Sequence, residues 1–216
     1  MIHVHAEAER NTKNAAEDRK RDMRFLDCDM EGEKIMVLSE TDGQFFYQLW
    51  FPLLGYASCA CGLVETPSEL VTPRGVDAII ARKAADELWN HMEIIDDYLA
   101  QRNDLPAEHR EIINSWKRRV RGNFYLERHL KHGSILIDAE SKNVYQVKGI
   151  ISSWKEMLGS CPLPVYMETT LIPFQDVIIP DGLIIPKPFR FGKNVNQSLA
   201  ERYQEAKRAG EIIRNL

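Results

Sequence analysis

The hydrophobic period changes near Gly122, and that change constrains the fold more than any other feature. Before it, apolar residues recur three or four apart. After it, they come in short runs rich in β-branched and aromatic residues, separated by turn signals. Thr41, with Gln44 three residues on, has capping-box spacing and opens an apolar helix through Phe45, Phe46, Leu49, Trp50, Leu53 and Leu54. Pro52 is expected to kink that helix or end it. Thr72-Pro73 reads as the start of a second helix, along which Ile80, Ala84, Leu88, Met92, Ile95 and Leu99 form one ladder. A third follows Leu105-Pro106, carries Ile112, Ile113, Trp116 and Val120, and is expected to stop at Gly122.

Beyond Gly122 the pattern predicts strands at 124–126, 134–137, 144–147, 165–172, 175–179 and 183–185, with Phe189-Arg190-Phe191 as a further candidate. His132-Gly133, Ser141-Lys142-Asn143, Pro173 and Asp181-Gly182 supply the turns. Ser153 and Glu156 again have capping-box spacing, and the end returns to helix from about Gln197 to Ile213. The expected fold is α+β. A helical N-terminal half packs on a small, strongly bent antiparallel β-sheet or barrel, and a C-terminal helix docks back. Three regions follow: a polar arm or loosely held helix over 1–24, a mainly helical region over 25–121, and a β-rich region with its helix over 122–216. The last two are expected to form one cooperative unit.

A chain of 216 residues can bury about 70% of its unfolded surface, so the fold needs no covalent or metal staple. The cysteines are only four, Cys28, Cys59, Cys61 and Cys161, and the first residues lack an apolar signal segment. The apolar patch from Phe45 to Cys61 is interrupted by Gln48, Pro52, Gly55 and Ser58, short of the ~20 residues of a membrane span. A cytoplasmic protein with free thiols and no membrane contact is the expectation.

Charge is distributed unevenly. The chain carries a net charge of −4, yet between Trp116 and His132 six cations, Lys117, Arg118, Arg119, Arg121, Arg128 and Lys131, face Glu127 alone. His129 and His132 can add charge at lower pH. If the third helix runs to Gly122, Lys117, Arg118 and Arg121 share its outer side, with Tyr125 nearby for stacking, an arrangement suited to phosphates. The alternative is a solvated helix end whose cations complement the macrodipole. Asp86, Asn90, Glu93 and Asp97 make an acidic stripe on the second helix, read as a solvated face or as a seat for a basic surface, the cationic cluster included. His91 is expected to point away from Glu93 and Asp97.

No nucleophile elbow, phosphate loop, dinucleotide fingerprint or zinc-protease helix is present. Cys59 and Cys61 lack the second close pair that a structural zinc requires, so neither metal nor cofactor is expected. A hidden hydrolase or transferase would need a carboxylate pair such as Glu168 and Asp181 beside Arg128. Taken locally, Asp181-Gly182 is an ordinary turn, Glu168 an outward strand residue, and Asp176 the follower of a Pro-Phe corner.

Ser115-Trp116-Lys117 leads into Arg128-His129-Leu130-Lys131-His132-Gly133-Ser134-Ile135, followed by Val144-Tyr145, Val147 and Gly149-Ile150. Leu171-Ile172-Pro173-Phe174, Ile178-Ile179-Pro180-Asp181-Gly182-Leu183, Ser198-Leu199, Tyr203 and Ala206-Lys207 complete the pattern. From Ile113 onward the chain thereby resembles an uncharacterised group of bacterial cytoplasmic proteins. Some members of that group look like helical proteins extended by a Cys-rich zinc-binding tail, of the kind found on the preprotein-translocase motor subunit. No such tail appears up to Leu216, so the resemblance implies a bacterial cytoplasmic setting and no zinc.

The leading expectation is a non-catalytic binding or adaptor module that contacts a polyanion, RNA more than DNA, through Lys117, Arg118, Arg119, Arg121, Arg128 and Lys131. A protein–protein or self-association module using the apolar surface of Phe45 to Tyr56 is the second expectation. A carboxylate enzyme is the third.

Overall fold

Ser39, and not Thr41, caps the first helix: its Oγ accepts from the Asp42 amide at 3.1 Å, and α1 runs over Glu40–Ala60. The computed structural model describes residues 36–72 and 75–216, so the expected arm at 1–24 and Cys28 lie outside the described residues. Pro52 does not end α1. Phe46, Leu49, Trp50, Leu53, Leu54 and Ala57 are all buried, and that burial outweighs the one backbone bond the proline removes.

Thr72 belongs to a two-residue strand, β1 (Val71–Thr72), which pairs with β2 (Gly75–Val76). The second helix therefore starts later. Asp77 accepts from the amides of Ile79 and Ile80 at 2.9 and 3.0 Å and opens α2, Ala78–Asn90. The expected continuous ladder is broken at His91-Met92, and α3 resumes over Glu93–Gln101. Next comes α4, Ala107–Ser115, then a single 3-10 turn, Trp116–Arg118. The change of period thus falls at Arg119, and Gly122 lies inside the first barrel strand.

That strand is β3, Val120–Leu130, followed by β4 (Gly133–Asp138), β5 (Val144–Val147), α5 (Trp154–Leu158), β6 (Val165–Phe174), β7 (Val177–Lys187) and α6 (Lys193–Ala209). The strands close into a barrel in the order β3-β4-β5-β7-β6, with β6 pairing back onto β3. All contacts are antiparallel except β5 against β7, parallel at Val147 and Ile178, so the barrel is mixed and not purely antiparallel as expected. Five strands in this order, with a helix between the third and fourth, have the connectivity of an oligonucleotide/oligosaccharide-binding barrel. The two strands expected at 175–179 and 183–185 are one. Asp181, Gly182 and Leu183 form a bulge in β7 opposite Thr170, with Gly182 at φ +91°.

Phe124, Leu126, Leu136, Val147, Met167 and Leu171 fill the interior, and Trp154 of α5 closes it. The capping box on α5 forms as expected: Ser153 Oγ accepts from the Glu156 amide and Glu156 accepts from the Ser153 amide. Two layers cover the outside. On β6–β7, Ile172, Phe174 and Ile179 join Phe46, Trp50 and Trp116 in one core, with Phe46 edge-on to Phe174 at 5.7 Å. On β4–β5, Ile135, Ile137 and Val144 lie beneath Leu199, Tyr203 and Ala206 of α6. That helix ends at Ala209 with Gly210 left-handed, and Ile213 instead pairs alongside β5, exchanging backbone bonds of 2.9 Å with Val144 and Gln146. Among the described residues, no helix is long and apolar enough to cross a membrane.

Candidate nucleic-acid interface

Side chains on a strand alternate, so Phe124 and Leu126 inside the barrel put Tyr125 outside it. Tyr125 is the cross-strand partner of Tyr166 on β6, and their rings lie 4.9 Å apart. After β7 the chain folds back across this pair. Phe191 comes to 5.4 Å from Tyr125, and Phe189 to 5.7 Å from Tyr166. Phe189 is 58% exposed, unusual for a ring of that size. Four aromatic rings therefore share one face of the barrel, Phe189 exposed and Tyr125, Tyr166 and Phe191 half-buried.

Cations rim this face. Lys142 Nζ lies 6.0 Å from the centre of the Tyr125 ring. Arg190 and Lys193 are exposed and have no hydrogen-bonded or charged partner among the described residues. Lys187 pairs with Glu168 at 3.0 Å. Two cavities flank the rings. One, of about 480 Å³, has Tyr125 in its wall, and the other, of about 350 Å³, has Phe189 and Arg190.

The six cations singled out from sequence are not one surface. The third helix stops at Ser115, which places Lys117 and Arg118 on the 3-10 turn and Arg121, Arg128 on β3. Lys117 pairs with Asp96, and Arg121 with Asp86 and Asn90, so residues around the acidic stripe do receive part of the cluster. Arg119 lies over the Trp89 ring, donates to the Trp89 carbonyl and to Met92 Sδ, and has its Nε buried without a partner. Burial and neighbouring Arg121 push its pKa below the ordinary guanidinium value. Arg128 pairs with Glu127 and covers the Tyr203 ring at 4.2 Å. Arg118 and Lys131 alone are exposed with no partner among the described residues. His129 adds no charge readily, since burial and Lys155 push its pKa down. His91, expected to face away, bonds Glu93 at 3.2 Å because the helix breaks between them.

Glu168 and Asp181 do share a niche, but Arg128 is absent from it and Arg121 stands there instead. The niche holds about 20 Å³, the space of a single water and no substrate. Glu168 faces outward as expected. Asp181 is no turn residue: it is 3% exposed and accepts from Trp89 Nε1 at 2.8 Å and the Leu183 amide at 2.9 Å. Burial raises its pKa to about 6, although those bonds, Thr170 and Arg121 oppose the rise. Cys59, Cys61 and Cys161 are free thiols, and among the described residues no three His, Cys, Asp or Glu side chains converge on a metal position.

Barrels of this connectivity bind ligands over the second and third strands. Here that face, β4–β5, is covered by α6, which also packs against one side of Tyr125, so that Tyr125 and Tyr166 on β3–β6 stay half-buried and partly accessible. Tyr125 was legible as a stacking residue from its place between two core residues. Phe189-Arg190-Phe191, expected as a further strand, is irregular chain beyond the end of β7 at Lys187, and its return onto Tyr166 depends on a path that no local pattern carries. No known protein family, curated protein or solved structure matches the chain.

Proposed function

We propose that the chain is a non-catalytic, cytoplasmic binding module that holds single-stranded nucleic acid, RNA more than DNA, on the outer face of β3 and β6. The observation that carries this reading is the row of Tyr125, Tyr166, Phe189 and Phe191, with Phe189 exposed and the other three rings half-buried behind it, Lys142 beside Tyr125, and the exposed Arg190 and Lys193 flanking Phe191 along the chain. Bases stack on aromatic rings whatever their sequence, while nearby cations hold the backbone. A duplex hides the faces of its bases, so the row suits an unpaired strand, the form in which RNA offers its bases. The face takes over the role expected of segment 117–131, because four of those six cations already have protein partners.

Fluorescence anisotropy across a salt series tests this. Single-stranded RNA is expected to bind more tightly than duplex, with a log–log salt slope of about −2 if three phosphates are neutralised. Phe189→Ala should weaken binding at least fivefold, corresponding to about 1 kcal/mol for one stacked base. Replacing Lys117, Arg119 and Arg121 together should leave affinity unchanged. Preference for duplex, or indifference to Phe189→Ala, would overturn the reading.

A further inference from the structure

We propose that the cavity between α6 and the end of the β3–β4 pair is a nucleobase pocket selective for guanine. This rests on the single-strand reading, since Tyr125 is at once a member of the aromatic row and a wall of the cavity. A base leaving the row needs no second entrance.

The volume of about 480 Å³ falls in the range of small-molecule sites. Tyr125, Ile137, Val195 and Leu199 supply apolar walls against which a flat ring can lie. The polar groups come from one side of α6, where Asn194, Ser198, Arg202 and Glu205 are spaced three and four apart. The Asn194 amide and the Ser198 hydroxyl have no partner among the described residues. Glu201 is already engaged by Gln197 at 2.8 Å, which leaves Glu205, whose nearest cation is Arg202 at 4.0 Å, as the freer carboxylate. Lys142 and Arg202 are tied together by a 2.8 Å bond from Arg202 Nε to the Lys142 carbonyl. Lys142 Nζ also donates to the Ala139 carbonyl and Arg202 lies 4.0 and 3.9 Å from Glu205 and Glu211, so the rim charge left for a phosphate comes chiefly from Lys142.

A carboxylate accepting from the edge of a base discriminates strongly. Guanine offers N1–H and the N2 amino group side by side, so both oxygens of Glu205 can be satisfied. Adenine sets the N1 lone pair next to its amino group, and cytosine sets N3 beside N4. Uracil has its single N–H between two carbonyls. Each of these places an acceptor against an oxygen of Glu205. The side chain is 60% exposed, so the cost is the forfeited second bond and the repulsion once the bound base shields the carboxylate from water. The O6 of guanine is then left for the Ser198 hydroxyl, two turns from Glu205, since Asn194 lies about 16 Å from Glu205 along the helix and is out of reach of the same edge.

The test is a titration of the full chain with GMP, AMP, CMP and UMP, followed by amide NMR, beside anisotropy with an oligouridine. GMP is expected to bind at least tenfold more tightly than the others and to shift the amides of Tyr125, Ser198 and Glu205. Glu205→Gln, on an exposed helix face, should keep the melting temperature and lose that preference, a tenfold or greater weakening for one bidentate pair. Ser198→Trp, which fills the cavity, should abolish GMP binding. Equal affinity for the four nucleotides, or a preference that survives Glu205→Gln, overturns the guanine pocket. Oligouridine bound in a Phe189-dependent way without GMP binding sinks the pocket and leaves the single-strand reading standing. GMP bound at these residues without any oligouridine binding does the reverse, and failure of both ligands overturns both.

Discussion

Asp181 is where residue-scale chemistry and sequence patterns part company. An Asp-Gly pair between two β-like runs is a turn by every local rule. The decision is made 92 residues away, by Trp89 Nε1, which draws the carboxylate into the seam between α2 and the barrel. No local pattern carries that information. The burial has a pH signature. A carboxyl whose pKa rises from 3.8 to about 6 on folding keeps its proton in the native state while the unfolded state has lost it. Stability contributed by this group is therefore intact below pH 4 and falls as pH rises to 6, by about 3 kcal/mol in all. Asp181→Asn should remove that slope. Its absolute stability is a poorer guide, because the amide turns one acceptor into a donor facing Trp89 or Leu183. Urea denaturation of both proteins from pH 4 to 7.5 checks this, and parallel curves would exclude a protonated Asp181. Trp89→Phe, by deleting a donor to the carboxylate, should move the transition to higher pH.

At the scale of elements, legibility followed how local the causes were. The α5 helix was readable because its capping box lies within four residues, and β5 because three of its four residues are apolar or aromatic and turn residues precede it. The start of α4 after Pro106 was readable too, but the Asp77 cap of α2 was passed over for Thr72-Pro73, and the ends of α2 and α4 were not legible, since they depend on tertiary packing. The cationic run at 117–121 reads as a helix end, yet Trp116 is fully buried and the chain must turn there to enter the barrel. A helix of five residues such as α5 has no stability of its own. It exists because Ser153 caps it and Trp154, fully buried, anchors it against the barrel interior. Ser153→Ala is expected to cost about 1 kcal/mol. Trp154→Ala should cost about 3–5 kcal/mol through the cavity it leaves. Chemical denaturation distinguishes the two, and equal losses would mean that α5 docks through its backbone alone.

For the whole molecule, the question is what joins the helical layer to the barrel, and most of segment 117–128 answers it. Arg121 reaches from β3 to Asp86 on α2, Lys117 reaches Asp96 on α3, and Arg119 holds the Trp89 carbonyl at the end of α2. Beneath these polar ties the cores are continuous, since Phe174 and Ile179 of the barrel hairpin belong to the same cluster as Phe46 and Trp50. A run of cations in a chain of net charge −4 thus functions partly as an internal fastener, which composition alone cannot distinguish from a binding surface. Partly buried arginines bonded to carbonyl and carboxylate oxygens contribute more than exposed pairs, whose worth is about 0–1 kcal/mol. Native-state hydrogen exchange in the wild-type protein is therefore expected to show amides of α2 and of β6–β7 opening with one common free energy. In Arg119→Met/Arg121→Met, the α2 and α3 amides should open first, about 2–3 kcal/mol below the barrel strands. Single-strand affinity should persist, because the aromatic face lies about 13 Å farther along β3, four residues from Arg121 to Tyr125. Should the helices already open below the barrel in the wild type, the arginines are not what couples the halves. Should affinity collapse with the fastener, the nucleic acid sits at the seam and not on the rings.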